Sequence, residues 1–387
     1  MTSVIPSSAG HSSLDLFEKI PILEPIQWSN IQQTFPTNSL NEASIDFQLE
    51  TDRNVFLDLQ ETYILLKVRL KKGKDDVKVT DKITLVNNAL HSLFSNCEVF
   101  FNNEQVYTSN GLYAHKAFIS NEFSGTKGTK ESISICHGYQ YESEPNNFTS
   151  SPFTTRIDQS GEEIVLYGRL AIDVFTCDKL LLPNINVRIR LIRSRPAFYL
   201  FTESTSSTTI IADIKEASLY TRQVAVDDRV FRSITTNLQK EPARYNFTEV
   251  LPKTFIIPSG QNQYIQENIF NNAPIRRLAL AMNSNSAFSG TKKSNPFHYQ
   301  KFGLREIKIV RGNQVVSQLD CVNNARPYVT TMQALKFEED GPNIPLSDYE
   351  NHFVLVFDLT STQESNVLLY YPDVVGGSLR LEILKGI

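Results

Sequence analysis

The chain has 387 residues, 41% of them hydrophobic and 21% charged, enough to bury a sizeable core without disulfides or metal. Its 38 basic and 42 acidic residues give a formal charge of −4, which excludes a protein whose main task is gripping nucleic acid through surplus cations. No run approaches the ~18 apolar residues of a membrane span, and residues 1–10 lack the basic and apolar parts of a secretion signal, so synthesis inside a cell, in cytoplasm or nucleus, is expected.

Residues 1–43 are polar and broken by Pro6, Pro21, Pro25 and Pro36, which rules out one continuous helix or strand. They read as an extended arm, with Leu14, Leu16, Phe17 and Trp28 as its apolar anchors for assembly. From residue 44 the pattern is β. Ile45, Phe47 and Leu49 alternate with polar partners, as do Val55, Leu57 and Leu59. Ile64, Leu66, Val68 and Leu70 alternate with Leu65, Lys67, Arg69 and Lys71, which puts the two sets on opposite faces. Residues 85–94 suit a helical turn. Val99 and Val106 flank Asn102-Asn103, the composition of a tight hairpin. Further strands are predicted over 164–166, 170–174, 187–192, 218–226, 254–257, 277–282, 306–310, 352–359 and 379–384. One short helix is predicted over 227–237, with Asp227 as its cap and Val230, Phe231 and Ile234 on one face. Three long loops remain, about 121–162, 283–303 and 317–350, and loops of that length are usually functional surfaces.

Two faint internal matches suggest duplication. Residues 98–106 and 307–315 share a strand, a tight turn and Gln-Val, and residues 172–174 with 187–191 resemble 357–359 with 379–383. The division expected is an arm over 1–43, a first β unit over 44–203, a linker over 204–209 and a second unit over 210–387. Units of this size built from short strands and few helices suit a jelly roll. The fold class is therefore all-β, with two tandem jelly-roll sandwiches.

At this point a family resemblance is carried by an ordered series of segments. They include Leu14-Asp-Leu-Phe17, Val55-Phe-Leu-Asp-Leu59, Val86-Asn-Asn-Ala-Leu-His-Ser-Leu-Phe-Ser95, Gly168-Arg-Leu-Ala-Ile-Asp-Val174, Phe255-Ile-Ile-Pro-Ser-Gly260, Asn295-Pro-Phe297 and Asp348-Tyr349. Over residues 14–384 the chain resembles the major capsid proteins of Maverick/Polinton elements, within the double jelly-roll lineage of virophages and adenoviruses. The resemblance implies a homotrimer forming a pseudo-hexameric capsomer of an icosahedral virion capsid. It also implies a penton or minor capsid protein as partner, and enclosed double-stranded DNA that is not specifically bound. It implies no enzyme activity and no cofactor. The family has Tyr-Pro-Tyr where this chain has Leu112-Tyr-Ala-His115, and it continues one strand past 379–383, so the second unit is expected to lack its final strand here.

Alternatives were weighed on the residues. The six histidines include no His-x-His pair of the kind a metal-dependent jelly-roll enzyme uses, and no nucleophile elbow or phosphate loop occurs. A two-domain carbohydrate-binding sandwich is the runner-up, and the missing secretion signal weighs against it. The four widely spaced cysteines read as buried free thiols. Arg188, Arg190 and Arg193 read either as a basic inner face toward packaged DNA or as the wet face of a sheet.

Overall fold

The computed structural model describes residues 26–203, 208–336, 344–360 and 377–386. The first eleven strands run β1 (Ile26–Thr34), β2 (Ser44–Leu49), β3 (Val55–Lys72), β4 (Asp75–Asp76), β5 (Ile83–Leu85), β6 (Phe94–Phe101), β7 (Glu104–Thr108), β8 (Ile164–Arg169), β9 (Val187–Arg193), β10 (Leu200–Thr202) and β11 (Ile210–Val226). Six follow: β12 (Gln263–Gln266), β13 (Arg277–Ala281), β14 (Leu304–Arg311), β15 (Gln314–Asp320), β16 (Val354–Asp358) and β17 (Leu379–Lys385). The helices are short: α1 (Ala89–Ser92), α2 (Tyr113–Ser124), α3 (Lys127–Lys130), α4 (Ile133–Cys136), α5 (Ser151–Ser160), α6 (Pro196–Tyr199), α7 (Asp228–Leu238), α8 (Asn285–Ser289) and α9 (Ala325–Leu335).

The duplication seen faintly in sequence is plain in the sheets. One four-stranded sheet has the order β2-β9-β6-β7 and another the order β12-β17-β14-β15. In each, a tight hairpin (β6–β7 or β14–β15) lies beside a late strand that pairs in turn with an early one, always antiparallel. Asn102 and Asn103 both have positive φ, 49° and 72°, as the two-residue turn with matching twist requires. The corresponding turn of the second unit uses Gly312, φ 58°.

The long strand β3 organises the first unit. Ile64, Leu66, Val68 and Leu70 are completely buried, while Lys67 and Arg69 on the other face pair with Glu216 and Asp76 at 2.6 and 2.9 Å. Burying each of those four apolar side chains contributes up to about 1.5–3 kcal/mol. Strand β11 runs antiparallel to β3 from Ile210 opposite Lys72 to Ala225 opposite Val55. By its hydrogen bonds, then, 210–226 extends the first unit's sheet, although the sequence pattern assigns it to the second. Alternation marks a strand and its buried face; it does not say which sheet the strand joins. The expected linker falls mostly outside the described residues.

Strand β16 lies between two cores, and this explains its run of buried residues. Val354 and Val356 pack with the first core, Leu355 and Phe357 with the second. A strand covered on both faces loses the polar half of its alternation.

Three local expectations change. Residues 170–174 give a short 3-10 turn over Asp173–Thr176, because buried Asp173 is held by Lys116 at 2.5 Å and by the Val250 N–H at 2.8 Å. Residues 254–257 are extended between Pro252 and Pro258 without joining a ladder, though Phe255 stacks on Tyr264 with centroids 5.6 Å apart. The three long loops carry helices: α2 ends in the first, which also holds α3, α4 and α5, while α8 and α9 lie in the others. The Leu112–His115 segment, which departs from the family's Tyr-Pro-Tyr and where a different local turn is expected, opens α2, and Tyr113 is fully buried there.

Helix α7 starts where predicted. The Asp227 carboxylate accepts the Arg229 N–H at 2.8 Å. Asp227→Ala is expected to cost about 1 kcal/mol, read as earlier fraying of this helix in hydrogen exchange.

Candidate assembly surfaces

Of the four arm anchors, Leu14, Leu16 and Phe17 lie outside the described residues. Trp28 lies on β1, opposite Ala225 of β11, and its residue is 44% exposed. Strand β1 ends its sheet, and the segment Ile26–Thr34 contains no charge; Ile31 is 69% exposed and nearby Phe35 61%. Soluble proteins usually blunt such edges with Lys, Pro or a bulge; here the ladder shifts register once, between Ile26 and Trp28, and no charge follows along the strand. An uncharged edge with exposed Trp and Ile is a surface built for covering.

The outer face of β8, β3 and β11 is a second such surface. Tyr63 and Tyr167 stack in parallel at 5.3 Å, Tyr220 meets Tyr167 edge-on at 6.0 Å, and Val165 is exposed two residues from Tyr167 on β8. Arg169 lies over the Tyr63 ring and is ion-paired with Glu61.

The alternation of β9 does place Arg188 and Arg190 on one face, but neither cation stands alone there. Arg190 is gripped by Asp46 of β2 at 3.1–3.2 Å and approaches Glu98 of β6 at 4.0 Å, and the Asp46 contact raises its pKa further. Arg188 sits 4.3 Å over the Phe100 ring. Arg193 donates to the Leu40 carbonyl, and burial lowers its pKa. In the repeated sheet the charges pair along single strands instead, Arg380 with Glu382 on β17 at 2.8 Å and Lys308 with Glu306 on β14 at 3.3 Å. The Asp46–Arg190–Glu98 contacts cross between strands and hold register, and they largely neutralise Arg190.

Sequence reasoning missed the seam between the units. From the first unit it takes α2, α5 and the segment 139–146; from the second, Asn295–Tyr299 and Asp348–His352. Phe118 stacks on Phe297 with centroids 4.4 Å apart and planes 2° apart. The Tyr141 hydroxyl donates to Asp348 at 2.8 Å, Asn295 Nδ2 to Glu142 at 3.2 Å and Asn351 Nδ2 to the Ser143 carbonyl at 3.0 Å. Buried Arg156 is ion-paired with buried Glu142. The segments Asn295-Pro-Phe297 and Asp348-Tyr349, noticed only as part of a resemblance, are the second unit's half of this seam.

Among the described residues, no three His, Cys, Asp or Glu side chains converge to hold a metal ion, and no helix is long and apolar enough to cross a membrane. Burial pushes His91 down to about 3 and His115 to about 4. Both are packed among aromatic rings: His91 beside Tyr113, and His115 between Phe288 and Phe297. All four cysteines are free. Cys97, Cys177 and Cys321 are buried as expected, but Cys136 is exposed at the end of α4. A shallow hollow of about 710 Å³ is lined by Asp75, Asp76, Asp158 and Glu162 and holds no nucleophile beside a base.

No family model matches the sequence. A Caenorhabditis elegans protein, the uncharacterized protein F54H12.2, is 20% identical over 364 residues, covering 89% of this chain and 86% of that one. Two solved structures match over nearly the whole chain. A chain in the structure of the Sputnik virophage has a TM-score of 0.58 at 9% identity, covering 99% of this chain and 86% of its own length. A chain of the PBCV-1 virus capsid has a TM-score of 0.54 at 12% identity, covering 95% and 86%. The repeated sheet, the shared seam and these two likenesses together show a double jelly-roll fold, the fold of the virophage and PBCV-1 capsid proteins.

Proposed function

We propose that this chain is the major capsid protein of a Maverick/Polinton-type element, a structural block without enzymatic activity. Three copies close by rotation into a pseudo-hexameric capsomer, and capsomers tile an icosahedral shell around double-stranded DNA. One observation carries the reading: a single chain contains the same four-stranded sheet twice, in the same order. Two similar units per chain present six nearly equivalent sides with only three chains, and closed rotational symmetry is the usual way such subunits satisfy their contacts.

Exposed apolar side chains on β1 (Trp28, Ile31) and the Tyr63–Tyr167 stack support these contacts. In this reading the arm anchors Leu14, Leu16, Phe17 and Trp28 cover a neighbouring subunit. Arg188, Arg190 and Arg193 hold the β2-β9-β6 sheet, since Arg190 already has two carboxylates. DNA is enclosed without specific contact, and a penton or minor capsid protein closes the five-fold positions. The protein is made in cytoplasm or nucleus and resides in the virion shell. The division proposed is an arm over 1–43, a first roll over 44–203, a linker over 204–209 and a second roll over 210–387, with β1 and β11 completing the first roll's β3 sheet.

Light scattering on purified protein tests the central claim. The expected species is near 132 kDa, three times the 43.9 kDa chain. A monomer that does not change with concentration or salt removes the trimer. Trp28→Lys adds a charge to the uncharged edge of β1 and is expected to shift the population toward monomer while leaving the melting profile of the monomer intact.

A further inference from the structure

We propose that His352 is a pH-sensitive latch between the two jelly rolls: its doubly protonated ring ties Glu122 and the Glu142 backbone of the first roll to the second, and releases them as the solution becomes alkaline. The inference stands on the seam geometry and does not depend on the capsid reading.

His352 precedes β16 and is 3% exposed. Its Nε2 lies 2.7 Å from the Glu142 carbonyl oxygen, which can only accept, so Nε2 carries a proton. Its Nδ1 lies 3.1 Å from Glu122 Oε1. The second oxygen of that carboxylate accepts the Tyr139 hydroxyl. A neutral ring with its proton on Nε2 would turn a lone pair toward a carboxylate in a buried site. An imidazolium donates to the Glu142 carbonyl and meets the Glu122 charge at 3.1 Å, an ion pair outside hydrogen-bond geometry.

The surroundings supply balance from every side. From α2 comes Glu122, 1% exposed; from α3 comes Lys130, whose Nζ lies 6.0 Å from the Tyr139 ring centroid and whose charge acts on Glu122. From the segment before α5 come Tyr139, Tyr141 and Glu142. Tyr141 stacks on the His352 ring at 5.4 Å and its hydroxyl is bonded to Asp348. From α5 comes Arg156, which neutralises Glu142. From the second roll comes His298, kept below its ordinary value by burial. One carboxylate is thus matched by Arg156, and the other by His352 with Lys130 nearby.

Burial opposes the charged ring of His352, but the Glu122 contact and charge outweigh it and hold the group above its ordinary value. Burial likewise opposes the charge on Glu122, yet His352, Lys130 and Tyr139 carry it below the usual carboxylate range. The signs follow. A raised His352 contributes stability that is fully present below its unfolded value near 6.5 and is lost as pH rises through its folded value. A lowered Glu122 contributes stability above its unfolded value near 4.5, lost as pH falls through its folded value. The seam is tightest between these limits and opens on the alkaline side through His352.

Two measurements on the whole protein test this. With ¹³C-labelled histidine, the His352 signal is expected to be that of an imidazolium at neutral pH, when the His91 and His115 signals are neutral. Hydrogen exchange of the 139–142 amides, corrected for its intrinsic pH dependence, is expected to report about tenfold more frequent opening for each unit of pH between the unfolded value near 6.5 and the folded value of His352, and no further rise above that value. In His352→Gln and in Glu122→Gln that pH dependence is expected to shrink to less than about twofold. A neutral His352 at pH 6.5, or an unchanged alkaline opening in His352→Gln, overturns the proposal. If His352→Gln does not fold, Glu122→Gln and the wild-type titration decide it.

Discussion

Phe297→Ala is expected to lower the unfolding free energy by about 3–5 kcal/mol and to split a single cooperative transition into two. Phe297 is 1% exposed and belongs by sequence to the second roll, yet it packs in the core of the first. Its ring lies flat on Phe118 and receives the edges or faces of His115 and Phe198 at 5.6 and 6.0 Å. Truncation removes the transfer free energy of the ring and leaves a void between elements of two rolls, which cannot collapse independently. Each lost aromatic pair adds about 0.5–1.5 kcal/mol. Because the ring bridges the units, the loss falls mainly on their coupling. Calorimetry should show two resolved transitions where the wild type has one, and Phe297→Leu should recover part of the loss. A single transition at an unchanged midpoint would mean that the seam is held by its polar contacts alone.

What could be read from the sequence follows from how local each signal is. The core strands were legible because a half-buried strand writes its burial into every second residue: Ile45, Phe47 and Leu49 of β2 are all at 2% exposure or less. The duplication was legible because both copies keep the hairpin and the late strand in one order. Helix α5 left a signal that was passed over. Its buried residues are Phe153, Arg156, Ile157 and Ser160, a clear helical spacing with Pro152 in the first turn. The Ser, Thr and Asn around it made the whole stretch look like loop. The seam could not be read at all. Glu122 closes a helix inside what reads as a loop, Glu142 and His352 are polar residues in irregular segments, and the pair that meets most closely is separated by some two hundred positions. A charged residue in a loop reads as solvated until a partner from the other end of the chain covers it.

The same blindness hid the buried pair Lys116–Asp173, where the second large effect is expected. Lys116 Nζ lies 2.5 Å from Asp173 Oδ1, and both side chains are 8% exposed. The ammonium also donates to the Tyr107 hydroxyl at 2.6 Å and lies 4.6 Å from that ring's centroid. The other Asp173 oxygen accepts the Val250 N–H. One pair therefore ties α2, strand β7, the 3-10 turn and the extended segment that follows α7. Burial lowers the Lys116 pKa, and the Asp173 carboxylate offsets only part of that. Desolvation of this size means the pair contributes little net stability, while either partner alone is costly. Lys116→Met leaves a buried carboxylate with one backbone donor, and Asp173→Asn leaves a buried cation; each should cost about 3–5 kcal/mol. The double variant should cost less than the sum by a few kcal/mol, since neither buried charge then remains. Urea unfolding of the four proteins gives the coupling directly. Additive losses would mean that the two charges do not rely on each other, and that Tyr107 and Val250 satisfy them separately.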